Sequence, residues 1–140
     1  MVHSELRTYD NKLSVWNVNN DEDLEDAIIA LGSNCDHIGT MFFLKIPADD
    51  LKDMSFDSEE GDTPTHGINH KHRNIKCLNY DSLGFLITTM MRSISSDLVV
   101  KKSKSELKEL LKNAYISGKI DPQLISESLK GEILKIIKTE

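Results

Sequence analysis

The sequence predicts an α+β domain, in which a small antiparallel sheet packs against several helices and the C-terminal part is helical. Three observations indicate this class: a short apolar run between a glycine and a proline, an acidic segment with helical spacing, and a C-terminal part rich in leucine, isoleucine and lysine. A chain of 140 residues has the length of one domain. Within this single domain, residues 1–140, we expect residues 101–140 to form a helical subdomain.

The predicted strands lie in the first half of the chain, where we expect an N-terminal hairpin and a strand at residues 41–46 to form the sheet together. Residues 4–18 are predicted to form a β-hairpin, because Asp10 and Asn11 are a turn pair that tolerates positive φ. Residues 41–46, MFFLKI, form a short apolar run whose length favours a buried strand. Residues 55–76 are polar and contain turn formers, so we expect a long irregular loop that is either functional or poorly ordered.

The clearest predicted helix covers residues 21–34, DEDLEDAIIALGSN. Asn19 or Asn20 is placed to cap its first turn, and acidic residues follow where the helix dipole favours negative charge. Apolar residues recur at spacings of three and four, which indicates one buried side. These residues are Leu24, Ala27, Ile28 and Leu31.

Three further helices are predicted in the second half. Residues 80–100 are nearly apolar in their first half, so we expect the central core helix there. Ser103 and Glu106 have the spacing of a capping box at the start of the next helix. The last helix is predicted to begin at Asp121, with Pro122 in its first helical position.

Charge is distributed unevenly along the chain. The net charge is −6, and it divides into −11 for residues 1–62 and +5 for residues 63–140. An acidic first half repels phosphates, which argues against nucleic acid as a direct partner, and it suits a basic protein. No apolar run approaches the roughly 18 residues of a membrane span, and the N-terminal residues lack an apolar signal core. We therefore expect a cytoplasmic protein without a membrane partner.

Ten carboxylates of the acidic half are the candidate partner-binding residues. We expect them to be exposed and to contact lysine and arginine side chains of a protein partner, while nearby apolar groups supply the buried contacts. The ten residues are Asp21, Glu22, Glu25, Asp26, Asp49, Asp50, Asp53, Glu59, Glu60 and Asp62.

Three histidines are the candidates for chemistry. His66, His70 and His72 lie within seven residues and could ligate zinc, with Cys77 or Asp62 as a fourth ligand, or one could act as a general base. Their spacing matches no recognised metal motif such as HExxH. We therefore expect no catalytic residue and no cofactor, and the alternative is a metal-dependent enzyme centred on this histidine loop.

Five segments taken together resemble the immunity proteins of bacterial toxin–immunity systems, including those of contact-dependent growth inhibition. The segments are LSVWNV, DEDLEDAIIAL, MFFLKIP, GDTPTHGINHKHRN and YDSLGFLI. The resemblance implies a non-enzymatic protein that binds a cognate basic toxin, often a nuclease, and blocks its active site. The basic C-terminal half departs from a uniformly acidic inhibitor, so binding is expected through the first half.

A regulatory adaptor that binds a partner through its C-terminal helices is the second alternative.

Overall fold

The computed structural model describes residues 12–57, 59–76 and 79–139. Strands and helices alternate irregularly along the chain, and two short 3₁₀ helices, Ala48–Leu51 and Asn69–Lys71, precede the third and fourth strands. The other elements are β1 (Leu13–Trp16), α1 (Asp21–Ser33), β2 (Met41–Leu44), β3 (Ser55–Asp57), β4 (His72–Lys76), α2 (Tyr80–Ser95), β5 (Val99–Lys102), α3 (Lys104–Ile116) and α4 (Glu127–Lys138). The predicted α+β class with a helical C-terminal part is confirmed.

The five described strands form two separate antiparallel sheets. In the first sheet β4 is central, with β1 on one side and β3 on the other. The second sheet is a ribbon of β2 and β5. The prediction that the N-terminal hairpin and residues 41–46 supply one sheet is therefore wrong, because β1 and β2 pair with later segments. The first strand of the predicted hairpin and its turn, residues 4–11, lie outside the described residues.

The segment 55–76, predicted to be irregular, contains β3 and β4. The sequence of β4, HRNIK, has one apolar residue, Ile75, which is completely buried. Asn74 is also buried, and its amide nitrogen donates to Glu59 Oε2 at 3.1 Å while its oxygen accepts from Ser14 Oγ at 3.3 Å. Because side chains of neighbouring strands satisfy this polar strand, its own pattern does not indicate a strand.

The predicted helix 80–100 ends early, at Ser95. Asp97 adopts a left-handed backbone conformation with φ of 59°, and the Leu98 N–H donates to the Ser93 carbonyl at 3.1 Å. The chain then enters β5, where Val99 pairs opposite Leu44. β-Branched valines are more favourable in a strand than in a last helical turn. The pairing of β2 with β5 therefore outweighs the helical spacing of apolar residues that predicted a longer helix.

The larger core lies among α1, α3 and α4. Its members are apolar, almost completely buried, and drawn from both ends of the chain. They are Ile28, Ile29, Ile38, Leu107, Leu111, Ala114, Ile120, Ile125, Leu129 and Ile133. The acidic helix α1 thus packs directly on the C-terminal helices.

The smaller core lies between the three-stranded sheet and α2. Its completely or nearly buried members are Leu51, Ile75 and Leu86, and partly buried side chains of β1 and α2 pack around them. The expectation that α2 is the central core helix is wrong, because Ile94 near its end is 55% exposed. The second core is small, and α2 covers only one side of it.

The C-terminal helices differ in how well their starts are predicted. The capping box at α3 is confirmed: the Glu106 N–H donates to Ser103 Oγ, and Glu106 accepts from the Ser103 N–H at 2.7 Å. The start of α4 at Asp121 is wrong, because residues 121–125 form a turn and Ser126 caps a helix that begins at Glu127. Neighbouring Ile120 and Ile125 are buried in the larger core, which holds the turn in place.

Candidate protein-binding site

The start of α1 presents exposed acidic side chains on a well-capped helix. The Asp23 N–H donates to Asn20 Oδ1 at 2.8 Å, which confirms Asn20 as the cap, and Asp23 accepts from the Asn19 N–H at 3.0 Å. Asp21, Glu22 and Glu25 are exposed. Asp21 and Glu22 lie in the first turn, where the helix dipole stabilises negative charge.

Lys71 joins this helix start to the loop that precedes β4. Its Nζ donates to Asp23 Oδ1 and approaches Asp26 Oδ2 at 3.5 Å. The hydrogen bond to Lys71 is the main cause that lowers the pKa of Asp23, and the same bond raises the pKa of Lys71. We call the contacts of Lys71 with Asp23 and Asp26 the Lys71 clamp. The clamp joins two chain segments that are 45 to 48 residues apart.

The prediction that Asp26 stands on the exposed acidic side of the helix is wrong. Its side chain is 12% exposed, and its two oxygens face the Nζ atoms of Lys71 and Lys119, the latter at 3.1 Å. A buried carboxylate is stable when cations and hydrogen-bond donors surround it. Asp26 therefore links α1 to Lys71 and to the turn that follows α3, and it is unavailable to a partner.

A buried polar network shapes the loop that carries Glu60 and Asp62. Thr63 Oγ1 donates to Asn69 Oδ1 and lies 2.6 Å from Thr65 Oγ1, while the Asn69 amide donates to the Thr63 carbonyl at 3.0 Å. The three side chains are buried, whereas Glu60 and Asp62 are exposed. The loop is thus ordered from within and presents its carboxylates outward.

Gly61 lets this loop lie close to the sheet. A Cβ atom there would stand 3.1 Å from His72 Cβ and 3.2 Å from the Trp16 ring, which is tighter than ordinary contact. The Gly61 N–H also donates to the Asn69 carbonyl at 2.9 Å. Since Asn69 belongs to the same 3₁₀ helix as Lys71, the loop is held beside the start of α1.

Eight candidate carboxylates fall into two groups at opposite ends of the three-stranded sheet, and all of them except the half-buried Asp50 are exposed. The α1 acidic surface adjoins the end of β4 at His72 and consists of Asp21, Glu22, Glu25, Glu60 and Asp62. The acidic turn adjoins the other end of β4 and consists of Asp49, Asp50 and Asp53. The length of β4 separates the two ends by about 13 Å along the strand. The structure thus places five of the ten candidates at the same end of the sheet, through the Gly61–Asn69 and Lys71–Asp23 contacts.

The remaining candidate, Glu59, is engaged within the sheet. Lys12 Nζ lies 3.5 Å from Glu59 and 3.4 Å from Asp57, and Asn74 donates to Glu59 as well. In contrast, the eight carboxylates of the two groups have no ion pair with any residue in the described ranges. They are the ones that a cationic partner can reach.

The three candidate histidines occupy different surroundings. His66 is exposed and its Nε2 lies 3.2 Å from Asp121 Oδ2, and His70 is exposed. His72 is buried, donates through Nδ1 to the Glu59 carbonyl at 2.9 Å, and stands edge-on to Trp16 with ring centroids 5.5 Å apart. Within the described ranges no three histidine, cysteine or acidic side chains converge as metal ligands, and Cys77 lies outside those ranges.

A thiol, Cys35, and a fourth histidine, His37, lie in the loop between α1 and β2, and each bonds to a different partner. The Cys35 thiol donates to the Leu31 carbonyl at 3.4 Å, and burial raises its pKa, with a smaller contribution from Asp36. His37 Nδ1 instead lies 2.8 Å from Glu132, and that bond is the main cause that lowers the pKa of Glu132. The raised pKa disfavours the thiolate form of Cys35, and His37 joins the loop to α4.

An open cleft of about 380 Å³ lies between α3 and α4. Three lysines, one carboxylate and two less polar side chains line it. They are Lys104, Lys108, Lys135, Glu132, Ile136 and Thr139. This basic cleft is the feature of the C-terminal helices that an acidic partner could occupy.

Comparisons of the chain with protein-family models, with curated proteins and with solved structures find no match. Within the described residues, every helix is too short or too polar to cross a membrane. Any functional inference therefore depends on the chemistry of the surfaces described above.

Proposed function

We propose that this chain is an immunity protein, which binds and neutralises a cognate basic toxin of the nuclease type by covering its active site. The α1 acidic surface is the observation that carries this proposal. Its five carboxylates are exposed, and none has an ion-pair partner among the described residues. The action is non-enzymatic, and we place it in the cytoplasm of the bacterium that makes the toxin.

The mechanism is occlusion by charge complementarity. A nuclease cleft binds the phosphates of its substrate through lysine and arginine, and carboxylates at the start of α1 can pair with the same cations. Glu22 and Glu25 are three residues apart, so they face the same side of the helix. Such complementarity mainly accelerates association and selects the partner.

Preorganisation supports the same function. The Lys71 clamp and the Asn69 network hold α1 and the loop of Glu60 and Asp62 in place before any partner binds. An ordered surface loses less conformational entropy on binding than a flexible one. The inhibitor therefore needs no folding step at its contact surface.

The test is capture of a partner from the host, at low and high salt, with two charge-reversal variants. The first reverses the surface on α1 by Asp21→Lys, Glu22→Lys and Glu25→Lys. The matched control makes the same change in charge at the acidic turn, by substituting Asp49, Asp50 and Asp53 with lysine. We expect a basic protein, toxic when expressed alone, to be captured in stoichiometric amount by the control and lost by the first variant.

Two outcomes would contradict the inhibitor. One is the absence of any basic, toxic partner at low salt. The other is a partner whose capture neither salt nor the α1 reversal weakens, because contacts of the proposed kind are screened by ions.

A second candidate is a regulatory adaptor that binds an acidic segment in the cleft between α3 and α4. The convergence of Lys104, Lys108 and Lys135 on that cleft favours it. Deleting the two helices would also remove Leu111 and other core residues, so charge reversal of these three lysines is the appropriate variant. If that variant lost the captured partner while the α1 reversal kept it, the adaptor would replace the inhibitor.

A further inference from the structure

The outer side of α2 carries an apolar stripe, which consists of Tyr80, Gly84, Ile87, Met91 and Ile94. Ile87 at its centre is half-buried, and the other four are exposed. These residues are separated by four, three, four and three positions, which places them on one side of a helix. Tyr80 is 96% exposed, Met91 62% and Ile94 55%. At helical rise the stripe is about 21 Å long.

The inner side of the same helix mixes apolar and polar side chains. It buries Leu86 together with Thr89 and Ser93, and Ser93 Oγ has no hydrogen-bond partner among the described residues. A helix that needed only to cover its own core would leave a polar side in solvent. Because a contiguous exposed apolar surface marks an interaction site, the stripe indicates that α2 has a second neighbour.

We propose that this neighbour is a second copy of the chain, bound stripe to stripe in antiparallel orientation about a two-fold axis near Ile87. Such an axis makes the surface self-complementary, because each contact occurs twice. It places Tyr80 opposite Ile94 of the second copy and Gly84 opposite Met91 of the second copy. The proposal concerns α2 and is independent of the inhibitor proposed for α1.

The charges of α2 select the antiparallel orientation. The helix has two charged side chains, Asp81 near its start and Arg92 near its end, and neither pairs with a described residue. Each directly follows a stripe residue, so both lie on the same flank. The two-fold axis of the antiparallel pair keeps these flanks on one side and brings Asp81 towards Arg92 of the second copy. In a parallel pair the equivalent flanks lie on opposite sides, so neither charge meets an opposite one.

Gly84 fits the same arrangement. A Cβ atom at this position would meet nothing within 4 Å, so no packing within the protomer requires a glycine there. Glycine inside a helix is destabilising relative to alanine. In the antiparallel pair the missing side chain makes room for Met91 of the second copy, and the two helices can approach closely.

The stripe is smaller than a standard interface, which buries about 800 Å² on each partner. We therefore expect a reversible dimer, detected by sedimentation velocity of the full chain over a wide range of protein concentration. Met91→Glu is expected to weaken the dimer by about tenfold or more, because it buries a charge in the contact. The matched control is Ile116→Glu at the end of α3, where the replaced side chain is 64% exposed and outside the stripe.

Two further variants test the orientation. Asp81→Arg and Arg92→Asp should each weaken the dimer, and the double variant should restore it. With an oxidant, Ile87→Cys should cross-link to itself, whereas Tyr80→Cys should cross-link to a chain carrying Ile94→Cys and not to itself. Circular dichroism checks that each variant folds.

Three results would overturn the proposal. The first is a chain that remains monomeric at every concentration. The second is a dimer that survives Met91→Glu. The third is a monomer whose stripe captures a different protein. Since none of these substitutions touches the α1 acidic surface, the outcome is separate from that of the toxin-capture experiment.

Discussion

Two helices of similar length present opposite chemistries to solvent. α1 buries Ile28 and Ile29 and exposes carboxylates, whereas α2 exposes Met91 and Ile94 and buries the hydroxyl of Thr89. α2 is the more apolar of the two in sequence, yet α1 occupies the larger core. The comparison teaches that a helix rich in apolar residues is expected to be covered. Its composition does not tell whether the rest of the chain or another molecule covers it.

The two surfaces also differ in how they are held. α1 is fixed by cations from distant segments, because Asp26 lies between Lys71 and Lys119. That arrangement leaves the outer carboxylates free to act at a distance on a charged partner. α2 carries almost no charge, so its contacts act only at short range and demand shape complementarity.

The largest expected difference in stability comes from replacing an isoleucine by alanine, once in α1 and once in α2. Ile28→Ala in α1 should reduce the free energy of unfolding by about 2–5 kcal/mol, because the side chain is 1% exposed and its removal leaves a cavity. Ile94→Ala in α2 should change it by less than about 0.5 kcal/mol, since that side chain is mostly exposed. Urea unfolding at low protein concentration measures both. Equal losses would mean that α2 is as deeply packed as α1.

A smaller effect is expected from two helical glycines that lie in open space. Gly84→Ala in α2 and Gly131→Ala in α4 should each raise the free energy of unfolding by about 0.5–1 kcal/mol, because alanine is the better helix former and no atom obstructs its methyl group. Unfolding of dilute protein measures this gain. Only Gly84→Ala should then weaken self-association, and equal behaviour of the two variants in sedimentation would contradict a close approach at Gly84.

The smallest expected effect is the pH dependence of the stability that the Lys71 clamp contributes to the fold. Asp23 has a lowered pKa in the folded chain, mainly through Lys71, so the folded state binds a proton less readily than the unfolded state. The stabilisation is complete above the ordinary aspartate pKa and is lost as the pH falls through the lower folded value. The stability advantage of the native chain over Lys71→Met should therefore shrink below about pH 4.

The control for this measurement is Lys52→Met. Lys52 is exposed and forms no ion pair with a described residue. The free energy of unfolding of Lys52→Met should differ from that of the native chain by a constant amount across the same pH range. A constant difference for Lys71→Met as well would show that the clamp does not hold the Asp23 carboxylate in its charged form.

Much of the candidate site could be predicted because its signals are local. The cap at Asn20 and the exposure of Asp21, Glu22 and Glu25 follow from a few adjacent residues. The burial of Asp26 could not be predicted, since it depends on lysines 45 and 93 residues away. No pattern in the sequence distinguishes Asp26 from its acidic neighbours.

By itself, the sequence determined the α+β class, the extent of α1, the capping box of α3 and the uneven distribution of charge. Each of these depends on contacts within one or two helical turns, or on composition alone. Tertiary structure alone decided that β4 is a strand, that α2 ends before β5, and that α2 leaves an apolar stripe in solvent. Those outcomes depend on pairing and packing between segments far apart in the chain, where the free energy of the partner outweighs local preference.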